Sequence, residues 1–243
     1  MNIDFIAIDF ETATSDHSSA CAIGIAVVED LRIAETFYSL IQPPGLLFHP
    51  GNMRVHGITP EMVADAPTLD EIWPKIRGYF TPHCPVVAHN SPFDVSVLRG
   101  SCSAVMPDFP YVDSIEMAVP IVEGSRALAH CAEVLHIDLE HHHNALDDAK
   151  ACAEVAIAAI QHAGCLSMWE YLSRHTEIKL RHLLSDPTPG RGPAPKPKLP
   201  KAVKPAPSWE ETAQQGDKPA GQRRRRRRPR SRIKAKEPEA GTL

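Results

Sequence analysis

The sequence predicts an α/β fold: a mixed sheet of about five strands with helices on both faces, followed by a separate C-terminal extension. Three observations predict it. Apolar runs of strand length come first and then alternate with helical patterns, the order expected when strands and crossover helices share one sheet. Charge is divided unevenly: residues 1–186 carry 25 acidic and 10 basic residues, a net of −15, whereas residues 187–243 carry 5 acidic and 16 basic, a net of +11. The second segment is also crowded with Pro, Lys, Ala and Arg, and Leu199, Val203, Trp209 and Ile233 stand isolated in it. So few apolar residues cannot bury enough surface to offset the entropy of ordering the chain.

Residues 4–10 form a short apolar run suited to a strand buried on both faces, and residues 22–28 form a second. Residues 32–41 alternate more loosely, with Phe37, Ser39 and Ile41 on one side. Glu29-Asp30 between the last two runs is turn-like, so the three read as an antiparallel meander. Thr59-Pro60-Glu61 places an N-cap before a proline at the first helical position. Residues 69–80 set Ile72, Trp73, Ile76 and Phe80 at helical spacing. Residues 86–88 are a short buried strand leading to a helix over 92–99, and residues 111–113 offer a further strand. Helices follow over 127–135, 145–163 and 167–182. The folded domain is therefore expected over residues 1–186.

The extension, residues 187–243, is expected to be disordered, with the Pro/Lys part over 193–207 locally extended. Arg223 to Arg228, with Arg230 and Arg232, make a dense basic run. It reads either as a solvated, self-repelling segment or as the source of phosphate attraction that an acidic body lacks. An acidic body suits a polyanion substrate when its carboxylates surround metal ions that invert the local charge.

Six cysteines (Cys21, Cys84, Cys102, Cys131, Cys152, Cys165) contain no C-x-x-C pair, which argues against a zinc ribbon or a thioredoxin-like motif and suits a reducing cytoplasmic setting. His162 and Cys165 supply only half of a structural zinc site. No basic segment leads into an apolar run near the N-terminus, and no stretch of 18 apolar residues occurs, so a membrane partner is not expected.

Three acidic constellations stand at element boundaries. Asp9-Phe10-Glu11 ends the first strand, where residues two apart share a face, so both carboxylates point the same way. Adjacent carboxylates repel unless a cation lies between them, and ends of central strands are where open sheets put their chemistry. In the run from Val86 through His89, Asn90 and Phe93 to Asp94, a buried strand ends in a polar turn and a helix begins with Asp94 in its first turn. Dipole compensation alone would explain Asp94 but not the His-Asn pair. In the third, His143 and Asp148 are five apart, with Asp148 expected in the second turn of the 145–163 helix and His143 at its cap. His141-His142-His143 by itself reads as a solvated loop.

Together the three resemble the motifs of the DEDD exonuclease superfamily in its histidine-containing branch, which includes the epsilon proofreading subunit of bacterial DNA polymerase III. Ile8-Asp9-Phe10-Glu11-Thr12 corresponds to the first motif, His89-Asn90 through Phe93-Asp94 to the second, and His143, Ala145 and Asp148 to the third. Val55-His56-Gly57-Ile58-Thr59 is similar to a loop that lies beside the terminal nucleotide in relatives. The resemblance spans residues 1–163 and implies a ribonuclease H-like fold. It also implies 3′→5′ hydrolysis with mononucleotide products and two divalent cations, Mg²⁺ or Mn²⁺. Asp9 would bridge both ions, Glu11 and Asp148 would serve the ion that activates water, Asp94 would hold its site, and His143 would be the general base. Phe93, His56 and Ile58 would pack on the end nucleotide, with Thr12 and Asn90 as polar contacts. Core packing is the other reading of Phe93.

The expected partner is nucleic acid, a single-stranded 3′ end foremost. Ala13-Thr14-Ser15 departs from the Thr and Gly that relatives carry after the first motif. No clamp-binding peptide of the Gln-x-x-Leu-Phe kind is present, so a polymerase or clamp partner is not supported by the sequence. DNA is the first substrate reading. An exoribonuclease is the enzyme alternative, and a non-catalytic nucleic-acid-binding module using the Arg run is the alternative from another class.

Overall fold

A strand whose residues are apolar on both sides must be covered on both sides. The computed structural model, which describes residues 3–185, gives Ile3–Thr12 (β1) that central place. Phe5, Ile6, Ala7 and Ile8 are fully buried. β1 pairs antiparallel with Ala20–Glu29 (β2) and parallel with Val86–Ala88 (β4). Arg32–Leu40 (β3) completes the meander beside β2. Asp30 and Leu31 both take positive φ between β2 and β3, as two-residue hairpin turns of the tightest kind require. Pro110–Asp113 (β5) runs parallel to β4, and Arg181–His182 (β6) pairs antiparallel with β5. The sheet order is β3-β2-β1-β4-β5-β6.

Alternation along the strands assigns the two faces. Ile6, Ile8, Ile23 and Ile25 join one core with Leu69–Ile76 (α3) and Ser91–Ser101 (α4), through Leu69, Ile72, Trp73, Val95 and Leu98. Phe5, Ala7, Ala26 and Val28 join the other with Ala145–His162 (α7) and Met168–Arg174 (α8), through Cys152, Ala153, Ala156, Met168 and Tyr171. The small residues of α7 let its backbone come close to β1 and β2. Four other α-helices lie among the described residues: Pro50–His56 (α1), Pro60–Val63 (α2), Ser114–Ala118 (α5) and Leu128–Leu135 (α6).

The α/β architecture expected from the sequence is present, with three differences. The sheet has six strands rather than about five. The helix expected over 167–182 ends at Arg174, and the chain returns to the sheet as β6. Ser167 does cap it, accepting from the Glu170 N–H, but His175 leaves helical geometry, stacks on Tyr171 and pairs with Glu177. The pattern expected over 69–80 divides into α3 and a 3-10 turn, Arg77–Tyr79. Among the described residues no helix is long and apolar enough to cross a membrane. The extension over 187–243, with its arginine run, lies outside the described residues.

Candidate active site

The carboxyl end of β1 lies beside the first turns of α4 and α7, so three separated acidic segments meet there. Asp9 and Glu11 alternate with buried Phe10 on β1. Asp148 enters from the first turn of α7, one turn earlier than the sequence suggested. Donor oxygens of Asp9, Glu11 and Asp148 all lie within 4.8 Å of one another. Asp94, in the first turn of α4 and almost fully buried, accepts the Phe10 N–H at 3.1 Å. These residues line a cleft of about 260 Å³, and Thr12, Phe93, His142 and His143 form part of its wall.

Local chemistry explains why the helices start where they do. Asn144 caps α7 with its side-chain oxygen, accepting from Leu146 and Asp147 N–H groups. This leaves Asp148 free to accept the His143 N–H at 3.0 Å through one oxygen and the His142 Nδ1–H at 3.0 Å through the other. His143 takes a left-handed conformation, φ 70°, uncommon for a residue with a Cβ. Its ring stacks on His142 with centroids 3.9 Å apart. Asn90 is also left-handed, φ 80°, a conformation Asn tolerates better than most. Asp113 holds that turn by accepting N–H groups from Asn90, Ser91 and Ile115.

Sequence patterns assign no role to Asp113 or His142 and place His89 only at the head of the second motif. His89 Nε2–H donates to the Arg126 carbonyl at 2.7 Å, so its Nδ1 accepts the Ser114 hydroxyl at 2.8 Å. The imidazole thus ties the turn after β4 to the loop before α6 while one edge lines the cleft. Burial lowers its pKa. His142 was hidden in a three-histidine run, where spacing singled out only His143.

The structure brings together Asp9, Glu11, Thr12, Phe93, Asp94, His143 and Asp148 around one cleft. His56, Ile58 and Asn90 lie outside its lining. His56 accepts the Ile58 N–H on Nδ1 and donates from Nε2 to the Thr12 carbonyl at 3.2 Å, so both ring nitrogens are engaged by backbone. Ile58 is buried in a small apolar cluster with Ala13, Ala22 and Ala145. Asn90 is exposed. The Phe93 ring meets His17 edge-on at 5.5 Å.

Electrostatically the acids are a poor fit for one another without a cation. Burial, then the charges of Asp94, Glu11 and Asp148, hold Asp9 well above the usual carboxylate range. Burial and Asp148 push Glu11 up to about 8. Burial raises Asp94 as well, against the lowering effect of the Phe10 N–H. Burial and the neighbouring His142 lower the His143 pKa, outweighing Asp148. A group with a raised folded pKa stabilises fully below its unfolded pKa, and that contribution is lost as pH rises through the folded value. For Glu11 the window runs from about 4.5 to about 8. The metal-free protein is therefore expected to lose thermal stability as pH rises from 5 to 8, and saturating Mg²⁺ should flatten the loss. Thermal unfolding with EDTA and with Mg²⁺ across that range checks this, and a metal-free melting temperature that climbs with pH contradicts it.

The sequence pattern that defines the exonuclease family (RNase_T) matches residues 6–156, which contain all five acid and histidine positions. Residues 30% identical over 166 positions occur in a PolC-type DNA polymerase III of Thermotoga petrophila, covering 66% of this chain and 12% of that protein. The 3′-5′ exonuclease DinG of Staphylococcus epidermidis is 28% identical over 193 residues, covering 74% of this chain and 21% of its own length. The chain thus spans only a small part of these longer relatives. In fold it is similar to exonuclease X, solved with 5′-overhanging duplex DNA, at a TM-score of 0.56 and 24% identity, covering 69% of this chain and 97% of that one. It is similarly close to the nuclease domain of 3′hExo, a DEDDh family member bound to rAMP, at a TM-score of 0.56 and 18% identity over 74% and 97% of the two chains. The chain belongs to the RNase_T family of exonucleases.

Proposed function

We propose that this chain hydrolyses the terminal phosphodiester bond at the 3′ end of DNA and releases nucleoside monophosphates one at a time. The observation that carries this reading is the convergence of Asp9, Glu11 and Asp148 within 4.8 Å, with Asp94 fixed beside them by the Phe10 N–H. Burial and neighbouring carboxylates hold Asp9, Glu11 and Asp94 above their usual range, a strain that divalent cations would relieve, and an all-oxygen donor set fits Mg²⁺ or Mn²⁺. Two such ions, held by Asp9, Glu11, Asp94 and Asp148, would supply the positive charge that an in-line displacement at phosphorus requires.

The remaining work falls to the chain's own residues. His143 accepts the proton of the attacking water, and its lowered pKa keeps the imidazole neutral near pH 7. Phe93, on the cleft wall, offers an aromatic surface to the terminal base. The Thr12 hydroxyl and the exposed Asn90 side chain are polar contacts for sugar or phosphate. His56 and Ile58 shape the border of the cleft: His56 ties the end of β1 to the loop after α1, and Ile58 packs beneath it.

His143→Ala is expected to lower kcat by about 10²–10⁴-fold, the usual consequence of losing a general base, with Mg²⁺ affinity much less changed. His141 is 73% exposed and faces Asp147 instead, so His141→Ala should stay within about two-fold, as for a surface ion pair. Steady-state kinetics on one labelled oligonucleotide compares them, and a His141 variant more damaged than the His143 variant would mean the base has been misassigned.

The second reading is a 3′→5′ exoribonuclease, since RNA presents the same phosphates and bases to these residues. Matched single strands of DNA and RNA, labelled at the 5′ end and incubated with Mg²⁺ or Mn²⁺, separate the readings. A ladder shortening by single nucleotides, faster on DNA, is the expected result. Faster loss of RNA would transfer the assignment, and no shortening of either would leave a nucleic-acid-binding module.

A further inference from the structure

A second donor set stands against the carboxylate cluster, and it differs in kind. His142, His143 and Asp148 each bring a ligand atom within 4.8 Å of the others. Two imidazoles and one carboxylate are a poor match for Mg²⁺, which selects oxygen, and a good one for Zn²⁺ and its neighbours in the transition series. We propose that His142, His143 and Asp148 form a binding site for a borderline divalent ion, Zn²⁺ above all, whose occupation shuts down the exonuclease.

The geometry suits one ion without rebuilding the loop. His142 Nδ1 and Asp148 Oδ1 are 3.0 Å apart and share a proton. Two ligands of a tetrahedral zinc ion, each roughly 2.0–2.2 Å from it, stand roughly 3.3–3.6 Å from one another, so a parting of a few tenths of an ångström lets the ion take the place of that proton. The His143 ring lies alongside His142 at an interplanar angle of 24°, and the His143 backbone N–H is anchored on the other oxygen of the same carboxylate. Both histidines are exposed while Asp148 is buried, so the set opens to solvent and leaves room for a water as fourth ligand. His141, next in the run, faces Asp147 and lies outside the set.

Asp148 belongs to this set and to the all-oxygen set with Asp9 and Glu11. A zinc ion bound here occupies a ring nitrogen of the proposed proton acceptor, His143, and an oxygen of a proposed Mg²⁺ ligand. Inhibition follows from both. The inhibitory half of the inference rests on the nuclease reading, and the binding half does not.

Zn²⁺ is titrated calorimetrically into the metal-free full-length protein, its His142→Ala variant and its His141→Ala variant, with Mg²⁺ titrated in parallel. His142→Ala is expected to weaken one zinc-binding event by about tenfold or more, a scale reached even when only an outer partner of a metal ligand is lost. His141→Ala should bind zinc as wild type does, and Mg²⁺ affinity should change far less than zinc affinity in either. Imidazole nitrogen resonances of His142 and His143 should move with zinc and not with Mg²⁺. Zn²⁺ added to the Mg²⁺-saturated enzyme should halve activity at a concentration about tenfold higher or more for His142→Ala than for wild type, each referred to its own zinc-free rate. Equal zinc affinity and stoichiometry in wild type and His142→Ala overturns the site. Zinc binding as expected without inhibition overturns the regulatory half. Zinc binding as expected in a protein that hydrolyses no substrate with Mg²⁺ or Mn²⁺ refutes the nuclease reading and leaves the site standing.

Discussion

Asp9→Asn should reduce exonuclease turnover by about 10³-fold or more while raising the melting temperature of the metal-free protein. The activity side follows from the position of Asp9 at the centre of the acids: Glu11, Asp94 and Asp148 all act on its carboxyl. Metal-borne stabilisation of charge developing at phosphorus is worth several kcal/mol, and each 1.4 kcal/mol is a factor of ten in rate. The stability side has the opposite sign. Asp9 is held above its ordinary pKa by burial and by its neighbours, so ionising it opposes folding at neutral pH, and a neutral amide of the same shape removes that opposition. In a domain of this size each kcal/mol moves the melting temperature by roughly 2–4 °C, so a rise of a few degrees in EDTA is expected. Mg²⁺ should no longer raise it much further. A variant that is inactive and also destabilised without metal would place Asp9 in the folding of β1 rather than in cation binding. Near wild-type activity would remove it from the mechanism altogether.

The sequence made the sheet's centre legible because β1 and β2 carry unbroken apolar runs that only double burial satisfies. It made the meeting of Asp9, Glu11, Asp94 and Asp148 legible because each acid sits at an element end, where side chains emerge from a core. What it could not reveal depends on backbone pairing and partner choice. β6 is two residues, Arg181–His182, set in register against Tyr111 and Pro110, and nothing in a polar dipeptide announces a strand. α1 and α5 are seven and five residues long, too short for a hydrophobic period to register. Asp113 looked like the end of a strand, yet its carboxylate gathers three N–H groups and sets the turn from which α4 starts. His89 stands at the head of the second motif, and both its ring nitrogens are engaged in hydrogen bonds away from the acids. One overlooked signal was available: Gly24 interrupts the apolar run Ala22-Ile23-Gly24-Ile25-Ala26, and a glycine inside a strand often marks close approach of another backbone.

Gly24→Ala tests what that glycine is for, and it should cost about 10²-fold in kcat although Gly24 is not a ligand or a substrate contact. Gly24 lies directly across from Asp9 in the β1–β2 register, beneath the start of α7. A Cβ there would stand 2.1 Å from the Ala145 carbonyl oxygen, 2.3 Å from its carbon and 2.5 Å from the Leu146 nitrogen. These are backbone atoms, so no side-chain rotation relieves the clash, and the first turn of α7 must move outward. Asn144, which caps that turn, and Asp148, which completes the carboxylate cluster, move with it. A displacement near 1 Å is enough for about a hundredfold loss when reacting groups are held by position. The overpacking should also cost about 1–3 kcal/mol of stability, which a domain of this size can absorb. Gly78→Ala is the control, because a Cβ at Gly78 meets nothing within 4 Å; it should change stability by less than about 0.5 kcal/mol and leave turnover alone. Circular dichroism, Mg²⁺ affinity and kcat on one oligonucleotide distinguish the outcomes. A folded Gly24→Ala protein with weakened Mg²⁺ binding and low kcat locates the effect in the approach of α7 to β1. Wild-type kcat and Mg²⁺ affinity would mean that the separation of Asp9 and Asp148 is set elsewhere.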